Sequence, residues 1–156
     1  QLKWQLIQII NQMHTLAKTT AYDYQALWQA YQQRINECDD QSQQLLVEVQ
    51  SLFAALPRLR ECLVHHDLHR GNLLYDLAEP VLIDWEYAGW GNPWLDISAL
   101  VSEFDFDITD LNQLDILKPL TEDEVAAGVS TALLLQEKLN TLWYQVGRVS
   151  GRNRGE

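Results

Sequence analysis

Glycine is missing from the first 70 residues of this chain. A glycine-rich loop that cradles phosphate with backbone amides is therefore excluded from 1–70. Lysine is scarce too. Lys3, Lys18, Lys118 and Lys138 all fall in helical or loop patterning, so no strand carries a lysine. There are two cysteines, Cys38 and Cys62, with no C-x-x-C spacing. That excludes a disulfide framework and reads as two reduced structural thiols. Positive charge is short: 11 Lys and Arg against 22 Asp and Glu, a net charge of −11. Such a surface repels nucleic acid and anionic lipid, which excludes both as partners, and it favours a cationic small molecule. No apolar run approaches the ~20 residues that span a bilayer. No signal segment is visible, so the expected location is cytoplasmic. The chain opens on Gln1 within a helical pattern, and the expectation is that the natural protein starts earlier.

What is present is a core. Hydrophobic residues make up 47% of the 156 positions, with six Trp and six Tyr. That suffices for one packed domain. Leu2, Leu6, Ile9, Ile10, Met13 and Leu16 recur at helical spacing and predict a helix over 2–18. Tyr24 to Ile35 predicts a second helix, and Leu45 to Phe53 a third that ends before Pro57. Short apolar runs then take over: Cys62-Leu63-Val64, Leu73-Leu74-Tyr75 and Val81-Leu82-Ile83. These are strand signals, and the turn from Asp76 to Pro80 makes the last two a hairpin. Gly89, Gly91 and Pro93 predict a long irregular loop. Ile97 to Phe104 predicts a buried helix with Asp96 as N-cap. Asp105 to Pro119 reads as a mobile acidic loop that can hold a helical turn. Thr121 to Glu124 reads as a capping box opening a last helix that carries Val125, Val129, Ala132, Leu133, Leu139, Leu142 and Trp143. The tail from Ser150 to Glu156 is polar and expected to fray.

The chemistry sits between the strand signals. His65-His66-Asp67-Leu68-His69-Arg70-Gly71-Asn72 has the form H-x-D-x-x-x-x-N, and Asp84 follows twelve residues after Asn72. Protein kinases use this spacing for a base Asp, a metal-binding Asn and a second metal-binding Asp beyond a short hairpin. Phosphoryl transfer needs a hydroxyl held in line with the γ-phosphate and phosphate charge neutralised by Mg²⁺. Asp67 is the candidate proton acceptor. Asn72 and Asp84 offer the hard oxygen ligands that magnesium prefers.

The stretches "LVHHDLHRGNLLYD" and "VLIDWEYAGWGNPWLDISAL" resemble the aminoglycoside phosphotransferase/choline kinase family. They are most similar to its bacterial choline, ethanolamine and thiamine kinase members. The two motifs cover about 63–100, and "INQMHTLA" resembles the helix that precedes the family's catalytic region. The resemblance implies an α+β fold: a protein-kinase-like C-terminal lobe, mostly helical, with a small β-hairpin at the catalytic loop. Residues 1–156 would form this one lobe, and the N-terminal ATP-binding lobe is absent from the chain. It implies ATP and Mg²⁺ as cofactors and a small alcohol, such as choline, ethanolamine or thiamine, as acceptor. Asp67 matches the catalytic base, and Asn72 and Asp84 the Mg²⁺ ligands. His65 matches a buried histidine bracing the loop. Asp96 matches an acid that bonds the loop from beneath. Glu86 and Tyr87 match positions bordering the substrate pocket. Trp143 resembles a pocket tryptophan whose W-x-x-W partner is here Asn140.

Competing readings stay beside this one. An antibiotic phosphotransferase of the aminoglycoside kind would show the same motifs, and a binding module could retain the fold without catalysis. A zinc hydrolase using His65, His66, Asp67 and His69 lacks a later histidine to complete its ligand set. His66 and His69 read as ordinary loop residues, and Trp85, Trp90 and Trp94 as packing. Trp143 lies on the apolar stripe of its helix and reads by default as core. Arg70 reads equally as a phosphate contact or a solvated side chain. The piece alone, without an ATP-binding lobe, is expected to be inactive.

Overall fold

The computed structural model describes residues 1–35, 40–76 and 79–152. Cys38, the centre of the 76–80 turn and the end of the polar tail lie outside the described residues. The helices are α1 (Leu2–Thr15), α2 (Tyr24–Ile35), α3 (Asp40–Ala55), α4 (Trp94–Phe104), α5 (Ile108–Leu111) and α6 (Glu122–Arg152). The strands are β1 (Cys62–Val64), β2 (Leu73–Asp76), β3 (Glu79–Leu82) and β4 (Gly89–Gly91). Single 3-10 turns cover Arg70–Asn72 and Asp115–Leu117. The chain divides into two compact units.

The first unit comprises Gln1–Tyr22 and Pro57–Ser130. Its α1 buries Leu6, Ile7, Ile10 and Met13, one helical face, against β1, β3 and the 115–117 turn. His14 lies on the same helix, fully buried, with neither ring nitrogen hydrogen-bonded. Burial and the neighbouring Arg60 charge lower its pKa to about 4, so the ring packs as a neutral group.

Two small antiparallel sheets follow. β2 and β3 pair as the predicted hairpin, with Leu73 opposite Leu82 and Leu74 opposite Val81. β1 pairs with β4, with Cys62 opposite Gly91 and Val64 opposite Gly89. The irregular loop expected around Gly89 is thus partly a strand. Residues 20–22 run along its other edge: Trp90 N–H donates to Thr20 O and Tyr22 N–H to Trp90 O, both at 2.9 Å. A Cβ on Gly89 would lie 3.2 Å from the Tyr22 Cβ, so glycine permits this close approach.

α4 starts three residues earlier than predicted. Pro93 occupies the N-cap position, and Asn92 Oδ1 accepts the Trp94 N–H at 3.1 Å. Asp96 is therefore a first-turn residue and not the cap, since its carboxylate is engaged elsewhere. The acidic segment after α4 is also built rather than loose. Phe106, Leu111, Leu114, Ile116 and Leu117 are buried. Asp107 and Asp110 form a reciprocal capping box around α5. Lys3 on α1 donates to Asp105 O and Asp110 Oδ2, both at 2.6 Å, and Asn11 bonds the backbone of Gln113 and Asp115.

The second unit comprises Asp23–Leu56 and Thr131–Glu156. There α2 packs on α3, with Phe53 against Tyr24 and Trp28. Lys138 pairs with Glu48 at 2.6 Å. α6 opens in the first unit with the predicted box: Glu124 Oε2 accepts from Thr121 N at 2.8 Å, and Thr121 Oγ1 accepts from Glu124 N at 3.3 Å. The buried stripe of α6 is Val125, Val129, Ala132, Leu135, Leu142 and Val146.

Trp94 is the largest fully buried side chain of the first unit, and its Nε1 donates to Pro57 O at 2.8 Å. Gly128 faces it, and a Cβ there would overlap the indole ring. Gly128→Ala should therefore destabilise the fold by about 1–3 kcal/mol despite the better helix propensity of alanine. Trp94→Leu in that background should recover part of the loss. Urea unfolding of the three variants checks this, and a Gly128→Ala protein as stable as wild type would contradict it.

Candidate active site

β1 ends at Val64 and hands the chain to a loop that runs from His65 to the 3-10 turn at Asn72. One side chain holds the start of this loop. Asp96, on the first turn of α4, is fully buried, and each of its oxygens takes a backbone N–H: Oδ2 from His65 at 2.8 Å and Oδ1 from His66 at 3.1 Å. Burial pushes its pKa up to about 6, against the two amide bonds that favour the anion.

His65 is buried beneath the loop and joins it to the hairpin. Its Nε2 faces Ile83 O at 2.9 Å, and its Nδ1 accepts the Asp67 N–H at 3.3 Å. A carbonyl can only accept and an amide only donate, so the ring carries its proton on Nε2. Trp85 packs on His65 at 4.7 Å between centroids, and its own Nε1 donates to Leu82 O. The loop-support positions predicted for His65 and Asp96 thus coincide with direct bonds to the loop backbone.

Asp67 and Asn72 are brought together. Asn72 Nδ2 donates to Asp67 Oδ2 at 2.9 Å and to Asp67 O at 3.0 Å. Both amide hydrogens are used, which fixes the flip of the side chain and leaves Oδ1 as a free acceptor. Asn72 is buried, whereas the Asp67 side chain is 41% exposed. Asp84 is reached through backbone. Ile83 N–H donates to Asn72 O at 3.0 Å while Ile83 O accepts from His65. The residue after this doubly held Ile83 is Asp84, exposed, with no hydrogen bond or ion pair to any described residue. Its φ is 61°, and His66 has φ 65°. Left-handed backbone at a non-glycine residue costs about 1–3 kcal/mol and clusters at functional sites.

The remaining predicted residues are less connected. Glu86 and Tyr87 are exposed in the loop between β3 and β4. Trp143 belongs to the second unit. It is 61% exposed and contacts Tyr144 edge-on, so the expected core role fails. Trp94 is packing, as expected. Arg70 is exposed, bonded to Asp105 Oδ2 at 2.9 Å and 5.6 Å from the Phe104 centroid. His66 is more than an ordinary loop residue: it stacks on Tyr22 at 4.0 Å, and burial lowers its pKa to about 4. His69 was also passed over in sequence. Its signal is Gly71 two residues on, whose N–H donates to His69 Nδ1 at 3.0 Å. Among the described residues no three His, Cys, Asp or Glu side chains group into a metal site, which leaves the zinc arrangement without support. No helix is long and apolar enough to cross a membrane among the described residues.

Over residues 5–124 the chain matches the phosphotransferase enzyme family. It belongs to that family. In fold, this phosphotransferase-family chain is similar to a choline/ethanolamine kinase family protein from Mesorhizobium loti, at TM-score 0.68 and 19% identity. That match covers 99% of this chain and 55% of the other. It is similar also to the choline kinase LicA from Streptococcus pneumoniae, at TM-score 0.69 and 22% identity, covering 99% of this chain and 57% of that one. A LicA structure in complex with AMP matches at TM-score 0.67. No curated protein matches significantly. The fold is thus the mostly helical α+β lobe expected, the kinase-like C-terminal lobe, and the chain spans little over half the length of these solved structures.

Asp96→Asn retains one acceptor oxygen for two buried amides. Loss of a charged hydrogen bond with one N–H left unsatisfied should cost about 1–3 kcal/mol in chemical denaturation. Unchanged stability would show that the carboxylate does not hold the loop.

Proposed function

We propose that this chain is the catalytic lobe of an ATP-dependent phosphotransferase that phosphorylates the hydroxyl of a small cationic alcohol. The observation that carries the reading is the bonded pair of Asp67 and Asn72, tied through Ile83 to the backbone of Asp84. Membership of a phosphotransferase family supports it. A neighbour of the same fold in complex with AMP supports a nucleotide. We assign the missing ATP-binding lobe to a further part of the protein, and the activity to the full-length enzyme.

In this reading Asp67 is the general base. Its Oδ2 is occupied by Asn72, so Oδ1 is the oxygen that takes the proton. The acceptor hydroxyl loses its proton to Asp67 as its oxygen bonds to the γ-phosphorus. The bond from that phosphorus to the β–γ bridging oxygen breaks, and ADP leaves. The donor set fits a magnesium ion: among the described residues Asn72 Oδ1 has no partner, and the exposed Asp84 carboxylate has none either. Bound between them, the ion would neutralise charge on the transferred phosphate. His65 and Asp96 keep the loop in the shape that aims Asp67.

Charge selects the acceptor. Asp67, Asp84 and Glu86 have no Lys beside them in 61–117, and Arg70 is already paired with Asp105. Trp85 and Tyr87 are exposed aromatic rings in the same segment. A cation against such a ring gains about 0.5–2 kcal/mol, and carboxylates add attraction that water partly screens.

In the full-length enzyme Asp67→Asn should lower kcat by about 10²–10⁴-fold, and Asp84→Ala should abolish magnesium-dependent turnover with the fold intact. ADP release reports both, and an unaltered kcat in Asp67→Asn would rule out that base. Competition among alcohols tests the charge. Choline, ethanolamine or thiamine should be preferred, and neutral or anionic alcohols used equally well would remove the cation from the proposal.

A further inference from the structure

We infer that His69 is a positioning residue for Asp67, setting which carboxylate oxygen is free to take the proton. The inference deepens the proposed function and rests on Asp67 being the base.

His69 immediately precedes the 3-10 turn Arg70–Asn72 with extended backbone, φ −151° and ψ 170°. Its ring folds over the turn, where Nδ1 accepts the Gly71 N–H at 3.0 Å. An accepting Nδ1 carries no proton, so the proton of the neutral ring is on Nε2. That nitrogen lies 3.7 Å from Asp67 Oδ2. The separation is too long for a hydrogen bond, so what the ring offers the carboxylate is an electrostatic and steric neighbour. Asn72 Nδ2 approaches the same oxygen at 2.9 Å. Asn72 thus bonds Oδ2 with the His69 ring standing beside the same oxygen, and Oδ1 has no donor among the described residues. A carboxylate free to rotate would offer either oxygen. One held by Oδ2 offers Oδ1 alone, which is the orientation effect that catalytic geometry depends on.

Gly71 is part of the device. A Cβ there would fall 2.8 Å from His69 Cε1 and 2.9 Å from Nδ1. Real Cβ contacts are not that short, so any other residue at 71 displaces the ring. The glycine leaves room for the histidine, and the histidine reaches the base. Gly71→Ala therefore moves the His69 ring while leaving both His69 and Asp67 chemically intact.

A turn cap and a positioning residue respond differently to substitution. Asn at 69 can accept the Gly71 N–H as a cap but is too short to present a donor at the Nε2 position. Gln can reach toward Asp67. In the full-length enzyme His69→Asn and Gly71→Ala should each lower kcat roughly 10- to 100-fold, with KM for nucleotide and acceptor little changed and thermal midpoint near wild type. His69→Gln should recover part of kcat. Gly71→Ala added to His69→Asn should cause little further loss, since both remove the same contact. A His69→Asn enzyme with wild-type kcat, beside an Asp67→Asn enzyme that has lost activity, would overturn the positioning role alone. So would a loss that appears in KM and not in kcat. An active Asp67→Asn enzyme would overturn the base assignment beneath it.

Discussion

A carboxylate buried away from water must be bonded on both oxygens or be expelled, and Asp96 meets that demand with two consecutive backbone amides. Consecutive amides in a chain do not ordinarily point the same way. The torsions of His65, which lies between the two amides, aim both at one carboxylate, and the backbone at His66 then turns into left-handed space. This turn redirects the chain, and Asp67 emerges on the far side, half-exposed, while His65 stays beneath. The placement of the loop therefore follows from satisfying one buried charge. The helix that carries Asp96 is in turn fixed by Trp94, whose ring fills the space left by Gly128.

The second constraint is Ile83. Its N–H and its carbonyl are taken by different parts of the loop, Asn72 and His65. A hairpin end gripped on both backbone groups cannot slide against the loop without losing two hydrogen bonds. That grip sets the register between residues far apart in sequence, and the pairing of Leu73 with Leu82 continues it into the hairpin. The placement of Asp67, Asn72 and Asp84 thus rests largely on backbone bonding.

The helices and the hairpin were legible because their periodicity is local. Asp67, Asn72 and Asp84 could be named as candidates because their spacing is set by a short loop and a short hairpin, and the structure brings Asp67 and Asn72 into contact. Other features were not. Gly89-Trp90-Gly91 looks like a turn, and only pairing with Cys62-Leu63-Val64 makes it a strand. Phe106, Leu111, Leu114, Ile116 and Leu117 follow no single period, so the acidic residues between them suggested a loose loop. By local pattern alone Asp96 looks like a helix cap, the usual use of such an aspartate, and only the family resemblance points it at the loop. Its actual partners lie some thirty residues away. Trp143 lies in a helical apolar pattern yet is exposed, since helical spacing gives a face and not what covers it. His69 stands across its loop from Asp67, a neighbour that no spacing rule names.

The left-handed backbone at Asp84 sets stability against use. Glycine would adopt φ 61° without the steric cost an aspartate bears there. A search for thermostable variants would be drawn to that substitution early, and to the same one at His66. Each would relax the backbone, but one would delete the Asp84 carboxylate of the proposed site and the other the ring that stacks on Tyr22. Thermal stability is thus a misleading guide in this loop, because a residue that strains the backbone, Asp84, is also one that the proposed function uses.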